Sequence, residues 1–426
     1  MKILHISTYD TGGAGLAAIR FHEALLKQNV QSSILFLHRE KYITKYAHTY
    51  ELIKNQSQII LPALTLKNYL LERFFLYFTK KNRRISKDLE VEQSFQKQLA
   101  IDSQTKFEYF SSPITDYDIT NHEAYNQADV VHLHFVSNFL DLESFFRVNT
   151  KPVFWSQHDE NLFYGAFHFE MDLFNNQEEY GDIDFKYSKI KQAALANANC
   201  QITLLSGSNW LISKVKGLKY YEDFTIKRLF YPVDSEKYRY IDKQIAKQLL
   251  NIPLNKEIFL FAAGNTAVKR KGFDLLLPLL LDDDLKDAFF LIMGNLSETI
   301  VRDNVKVLGK ISDELLMPII YASADYYILP SRAEGFSYAM SESLCCGTPV
   351  IAFDVADHKE FIEANNLGYV IPEISTESLK KCVKDVLQSN YQFDGRKISA
   401  TTLSFLDSLK VGKELKEIYF SKSDIS

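Results

Sequence analysis

Twice along this chain a series of short apolar runs recurs, each closed by polar or glycine residues and followed by a helix-like segment. No other feature limits the fold as strongly. The first series runs through 3–8, 32–37, 128–134, 152–156 and 201–205. The second runs through 257–263, 288–293, 305–308, 326–329 and 349–353. Apolar runs of four to eight residues without polar alternation are what central parallel strands require, because helices cover both faces of such a sheet. A chain of 426 residues is also too long for one ordinary core. The expectation is an α/β protein with two Rossmann-like domains. Residues 1–234 form the first, with an insertion over about 45–120; residues 235–403 form the second; residues 404–426 form a terminal amphipathic helix.

Composition excludes several classes. A net charge of −5 gives no general signature of nucleic-acid binding. Four cysteines, Cys200, Cys345, Cys346 and Cys382, show neither metal-ligand spacing nor the density of a disulfide scaffold, which fits a reducing compartment. The opening Met1–Ser7 enters a strand directly rather than reading as a signal peptide. No apolar run is long enough to cross a bilayer. Residues 61–84 are an exception to the general pattern, joining Leu, Phe and Tyr to a basic end at Lys80, Lys81, Arg83 and Arg84. They read either as an amphipathic segment lying on an anionic membrane or as a core helix with a solvated tail. The expected location is cytoplasmic, with peripheral contact to the inner membrane face under the first reading.

The stretch from Pro330 to Leu344 follows the strand 326–329, at a carboxyl end where open α/β sheets collect ligands. Gly335 permits a close turn, and the residues from Ser337 to Cys346 suit a helix whose first amides face an anion. Glu334 lies in the loop and Glu342 eight positions on, a spacing that returns a helical residue toward the same side. Two hydroxyl-binding carboxylates around an anion-binding turn describe a sugar-nucleotide site; an ordinary helix start with acids in its first turns explains the same letters.

Three other places lie at strand ends. Gly12 and Gly13 sit in Tyr9–Gly15, a glycine-rich turn opening a helix from Leu16 to Lys27; the spacing misses the dinucleotide fingerprint. His158 follows the strand 152–156, where a histidine can donate to a substrate oxygen, or simply serve the structure. Lys269, Arg270 and Lys271 fill the first loop of the second series, where they can neutralise a diphosphate or form a solvated charge run.

Taken in order, these motifs resemble the retaining family 4 glycosyltransferases, with their Glu-x7-Glu motif, and within them the branch that builds bacterial surface polysaccharides. The likeness rests on Gly12-Gly13, Asp129–His134, His158-Asp159 with Phe163–His168, Tyr231–Asp234, Lys271-Gly272, Glu334-Gly335-Phe336 with Glu342, and Gly347–Ile351. Residues 45–120 are hardly covered. The resemblance implies a GT-B fold, two Rossmann-like domains facing a cleft, and a metal-independent, hexosyltransferase-like enzyme. It would move sugar from a nucleoside-diphosphate sugar to a glycan or lipid-linked acceptor.

By position, the resemblance gives Glu342 the ribose hydroxyls and Glu334 the transferred sugar. The amides of Gly335, Phe336 and Ser337 meet sugar or phosphate, Lys271 and the Gly12-Gly13 loop meet the diphosphate, and His158 donates to the sugar. It implies no metal and no cofactor beyond the co-substrate. One departure stands out: relatives carry an arginine where this chain has Asn265, and the sequence leaves open whether Lys269 or Arg270 replaces it. Alternative expectations are a nucleotide-sugar epimerase and a non-catalytic nucleotide-binding relative. Sugar, base, acceptor, linkage and oligomeric state are not legible.

Overall fold

The computed structural model describes residues 1–42, 44–50, 107–296, 299–311, 313–389 and 391–421. The chain divides into two compact units. One comprises Met1–Ala18, Ser32–Trp155 and Asp159–Thr203; the other comprises Ile19–Gln31, Ser156–His158 and Leu204–Ser426. Among the described residues no helix is long and apolar enough to cross a membrane. The stretch 61–84, singled out for a membrane contact, lies outside the described residues.

Thirteen strands are described: β1 (Lys2–Tyr9), β2 (Gln31–His38), β3 (Ala47–Thr49), β4 (Val130–Leu133), β5 (Val153–Ser156), β6 (Ile202–Ser206), β7 (Thr225–Arg228), β8 (Glu257–Asn265), β9 (Ala288–Asn295), β10 (Val305–Gly309), β11 (Tyr326–Leu329), β12 (Val350–Phe353) and β13 (Gly368–Ile371). The first sheet runs β3-β2-β1-β4-β5-β6-β7 and the second β10-β9-β8-β11-β12-β13. Both start in the middle and grow outward on one side, then jump back across the first strand. That order places a topological switch point between β1 and β4 in one sheet and between β8 and β11 in the other.

The second sheet shows why its strands read as unbroken apolar runs. Ile258 and Leu260 of β8 enter one buried cluster with Leu291, Tyr327 and Val350. Phe259 and Phe261, the residues between and after them, enter a different cluster with Phe290, Ile292, Tyr326 and Ile351. Side chains alternate across a strand, so two separate cores, one on each face, require every position to be apolar. All ladders of this sheet are parallel.

Three local differences from the sequence reading have plain causes. The first helix starts at Gly12, not Leu16, because Gly12 adopts φ +73 and turns the chain into the helix within two residues of Asp10. The apolar pattern after Ser404 is carried by two helices, Gly395–Leu406 and Ser408–Phe420. Asp407 separates them, its carboxylate accepting from the Leu409 and Lys410 amides as a cap. The edge strands β3, β7 and β13 escaped detection because they are short and only partly buried.

Candidate active site

In the second unit the switch point is closed by backbone before any side chain acts. The loop after β8 makes a turn at Lys269–Lys271 and passes through Gly272, at φ +71, into the helix Phe273–Leu280. A Cβ at Gly272 would run into the Pro330 carbonyl oxygen, so only glycine lets the β8 loop pass this close to the end of β11. Arg332 then ties the two loops: its guanidinium bonds both Asp274 oxygens at 2.7 Å and its amide donates to the Arg270 carbonyl at 2.8 Å.

Glu334 sits in the resulting pocket of charge. Lys271 Nζ donates to its Oε1 at 2.7 Å, Ser331 Oγ donates to the same oxygen at 2.8 Å, and Arg270 lies 3.4 Å from Oε2. Burial by itself would raise the Glu334 carboxyl; the Lys271 and Arg270 charges and the two hydrogen bonds hold it down at about 2. Arg270 is buried and also donates to the Ala333 carbonyl. Lys271 retains 29% side-chain exposure, so it is the cation of this pair that water and solutes reach. Asn265 ends β8 exposed, its side-chain oxygen accepting from the Ala267 amide.

Following Glu334, Gly335 passes against the backbone of His158, whose carbonyl oxygen leaves no room for a Cβ. Ser337 caps the helix Tyr338–Cys345 by accepting from the Met340 amide. Phe336 packs on Phe230 and Tyr231. Tyr231 is the organising ring here: it lies 5.0 Å from the His158 ring, is stacked 5.8 Å from Tyr338, and its hydroxyl donates to the Gln157 carbonyl. His158 is half-buried beside it.

Glu342, one turn into the helix, is buried and paired with Arg20. Arg20 comes from the C-terminal half of the helix Gly12–Lys27, which belongs to this second unit. Its guanidinium lies 4.5 Å from the Tyr338 ring and 5.2 Å from the Tyr238 ring. Burial opposes its charge, but Glu342 and the flanking tyrosines raise its pKa overall. Removing one partner of such a pair leaves an uncompensated buried charge, at a cost of about 3–5 kcal/mol. The C-terminal helix braces this half-helix: Lys416 donates to the Gln28 carbonyl at 3.1 Å, and Lys27 Nζ donates to Ser408 Oγ at 3.3 Å.

Seven of the nine residues singled out in the sequence, His158, Lys271, Glu334, Gly335, Phe336, Ser337 and Glu342, thus belong to the second unit. Gly12 and Gly13 belong to the first, exposed at their helix start with open space around them. There the neighbouring acid, Asp10, accepts from three backbone amides, Glu40, Lys41 and Tyr42, at 2.9, 2.6 and 2.7 Å. Asp159, the neighbour of His158 in sequence, pairs with His168 at 2.7 Å, and His168 also bonds Ser111 at 2.6 Å.

Sequence reasoning missed Arg20 and left Arg270 undecided. A signal for Arg20 existed. It falls among Ala17, Phe21, Ala24 and Leu25 on the buried face of its helix, where a charge needs a partner.

Comparison with known proteins bears on the fold and on the second sheet's segment. Residues 256–389 match the model of the glycosyl transferases group 1 family. A protein of the cps region of Klebsiella pneumoniae, itself uncharacterised, is 32% identical over 107 residues, covering 24% of this chain and 30% of that protein. The chain spans between 26% and 58% of the length of the curated relatives it matches. Sucrose-phosphate synthase of Thermosynechococcus elongatus superposes with a TM-score of 0.66 at 13% identity, covering 100% of both chains. Anabaena HepE, in complex with UDP and glucose, gives 0.63 at 14% identity over 99% of this chain and 100% of its own. In fold, with its two parallel sheets, the chain is a GT-B α/β protein, and its segment 256–389 carries the glycosyl transferases group 1 pattern.

Proposed function

We propose that this protein is a retaining, metal-independent glycosyltransferase that moves a hexose-like sugar from a nucleoside-diphosphate donor to a glycan or lipid-linked glycan acceptor in polysaccharide synthesis. The observation that carries the reading is the Lys271–Glu334 pair at the β8/β11 switch point, a half-exposed cation against a buried carboxylate. HepE, the neighbour with a similar fold, was solved with UDP and glucose, which supports the choice of donor class.

The reaction breaks the bond between the anomeric carbon and the diphosphate, so negative charge grows on phosphate and positive charge on the sugar ring. Lys271 answers the first, with the amides at the start of the helix Tyr338–Cys345. Before donor arrives Lys271 is neutralised by Glu334; donor phosphate then takes over the ammonium and frees the carboxylate for the sugar hydroxyls. Arg270, already against Glu334, keeps that carboxylate ionised during the exchange. It thereby supplies part of the charge missing at Asn265. His158, steadied by Tyr231, donates to the transferred sugar, and Glu342 takes the ribose.

Incubating the purified chain with a panel of sugar nucleotides and following products by mass spectrometry tests the reading. Donor hydrolysis, or transfer to an added glycan, supports it. Conversion of donor to an isomeric sugar nucleotide without acceptor would assign an epimerase instead, and no turnover of any donor would leave a non-catalytic protein.

A further inference from the structure

The two histidines of the Asp129–His134 stretch have no part in the donor chemistry. They meet a third at the centre of the first sheet. His5 of β1 and His132 of β4 are register partners, and His134 follows two positions on, on the same face. Its amide donates to the Ile6 carbonyl at 3.0 Å, which extends the β1/β4 ladder by one bond. All three residues are buried, at 0%, 0% and 2% exposure. Their ring centroids lie 4.9 Å apart for His5–His132, 5.2 Å for His5–His134 and 4.2 Å for His132–His134. A central parallel strand asks for apolar side chains on both faces. The corresponding pair in the second sheet meets that demand, with Leu260 of β8 opposite Tyr327 of β11 in a buried cluster. Packing alone does not call for three adjacent imidazoles.

The ring nitrogens converge. His5 Nδ1 and His134 Nε2 are 2.9 Å apart, and one nitrogen from each of the three rings lies within 4.8 Å of the others. Two imidazole nitrogens on one tetrahedral zinc ion, each about 2.0–2.1 Å from it, are roughly 3.4 Å apart. The tightest pair is near that spacing, and rotation of the rings about their side-chain torsions closes the wider gap. A proton on one of the two makes the 2.9 Å contact a hydrogen bond, and an ion takes that proton's place. The donor set also selects the ion. Three imidazoles, with no carboxylate or thiolate in the group among the described residues, suit zinc, copper or nickel, whereas calcium and magnesium take oxygen ligands. We propose that His5, His132 and His134 bind one first-row transition-metal ion, zinc first among them, which staples β1 to β4 across the switch point of the first sheet. Closed surroundings make it a structural site, with water or a hydroxyl in the fourth place. The three histidines belong to the first unit and Lys271 and Glu334 to the second, so the proposed transfer reaction takes no metal from it.

A closed site is loaded as the chain folds, so the test uses the full chain produced in zinc-supplemented, cobalt-supplemented and metal-depleted media. Elemental analysis after gel filtration should find about one zinc per chain, and the zinc-loaded chain should melt above the metal-depleted one. The cobalt-loaded chain should show the visible absorption of a four-coordinate ion. His5→Phe and His132→Phe keep a ring of similar size without its nitrogens. Each should retain about a tenth of the zinc or less and lose the difference in melting. If neither variant folds, the cobalt spectrum of the wild type still decides, since a six-coordinate signature contradicts a site of this shape. Wild type that takes up no metal from either supplemented medium, and melts the same without it, contains only a hydrogen-bonded histidine cluster, and the proposal falls. It falls equally if both folded variants keep their zinc in full, since the ion then sits elsewhere.

Discussion

The two switch points share a topology and differ in what their acids do. Between β1 and β4, Asp10 is buried and committed to three backbone amides of the loop after β2. Between β8 and β11, Glu334 is buried to a similar degree but committed to the side chains of Lys271, Arg270 and Ser331. An acid holding backbone fixes a loop and can release nothing without unfolding it. An acid holding a half-exposed lysine can exchange that partner for a ligand. Under the proposed function, one topology builds a scaffold at one place and a chemical site at the other, and side-chain cations make the difference.

Substitutions at the two places should therefore separate stability from activity. The largest effect expected is at the second: Lys271→Met should lower kcat/KM by about 10²–10³, about 3–4 kcal/mol of transition-state stabilisation. Its denaturation midpoint should change little, since Glu334 retains Arg270 and Ser331. Steady-state kinetics beside urea melts check the pair of statements. Next, Asp10→Ala should do the reverse, costing about 2–3 kcal/mol of stability through three unpaired amides while nucleotide affinity holds. A parallel loss of affinity would mean that the first switch point serves the donor more directly than its geometry indicates.

Acid should sharpen the contrast by sparing both carboxylates at first. Glu334 titrates near 2 when folded and Asp10 is also lowered, so what they contribute is present above pH ~4 and lost only as pH falls below it. His22 responds earlier. Burial pushes its imidazole down to about 4, so the unfolded chain takes up a proton near pH ~6.5 that the fold refuses. Stability should decline by about 3 kcal/mol as pH falls from ~6.5 to ~4, and His22→Leu should flatten that limb in melts recorded across pH. Smallest of all, Ser337→Ala should cost about 1 kcal/mol by uncapping the helix that bears Glu342.

How much of this the sequence shows depends on whether local pattern or distant partner decides. Strands such as Glu257–Asn265 and Tyr326–Leu329 are legible because burial on both faces forces every residue to be apolar. Lys271, Glu334 and Ser337 are legible because strand ends in parallel sheets are where ligands collect. The Arg20–Glu342 pair joins residues 322 positions apart. No local period reports it, although a lone arginine on an apolar helix face hints that a partner exists. The start of the first helix at Gly12 was hidden for the opposite reason, since a glycine turn and a glycine first helical turn look alike in letters.

The central claim is that the β8/β11 switch point, and not its counterpart, is the donor site. Calorimetric titration of UDP into wild type, Lys271→Met and Asp10→Ala tests it most directly. Saturable binding to wild type and Asp10→Ala, weakened at least about tenfold by Lys271→Met, is the result this account predicts. Binding that ignores Lys271 but vanishes with Asp10→Ala in a folded protein would contradict it.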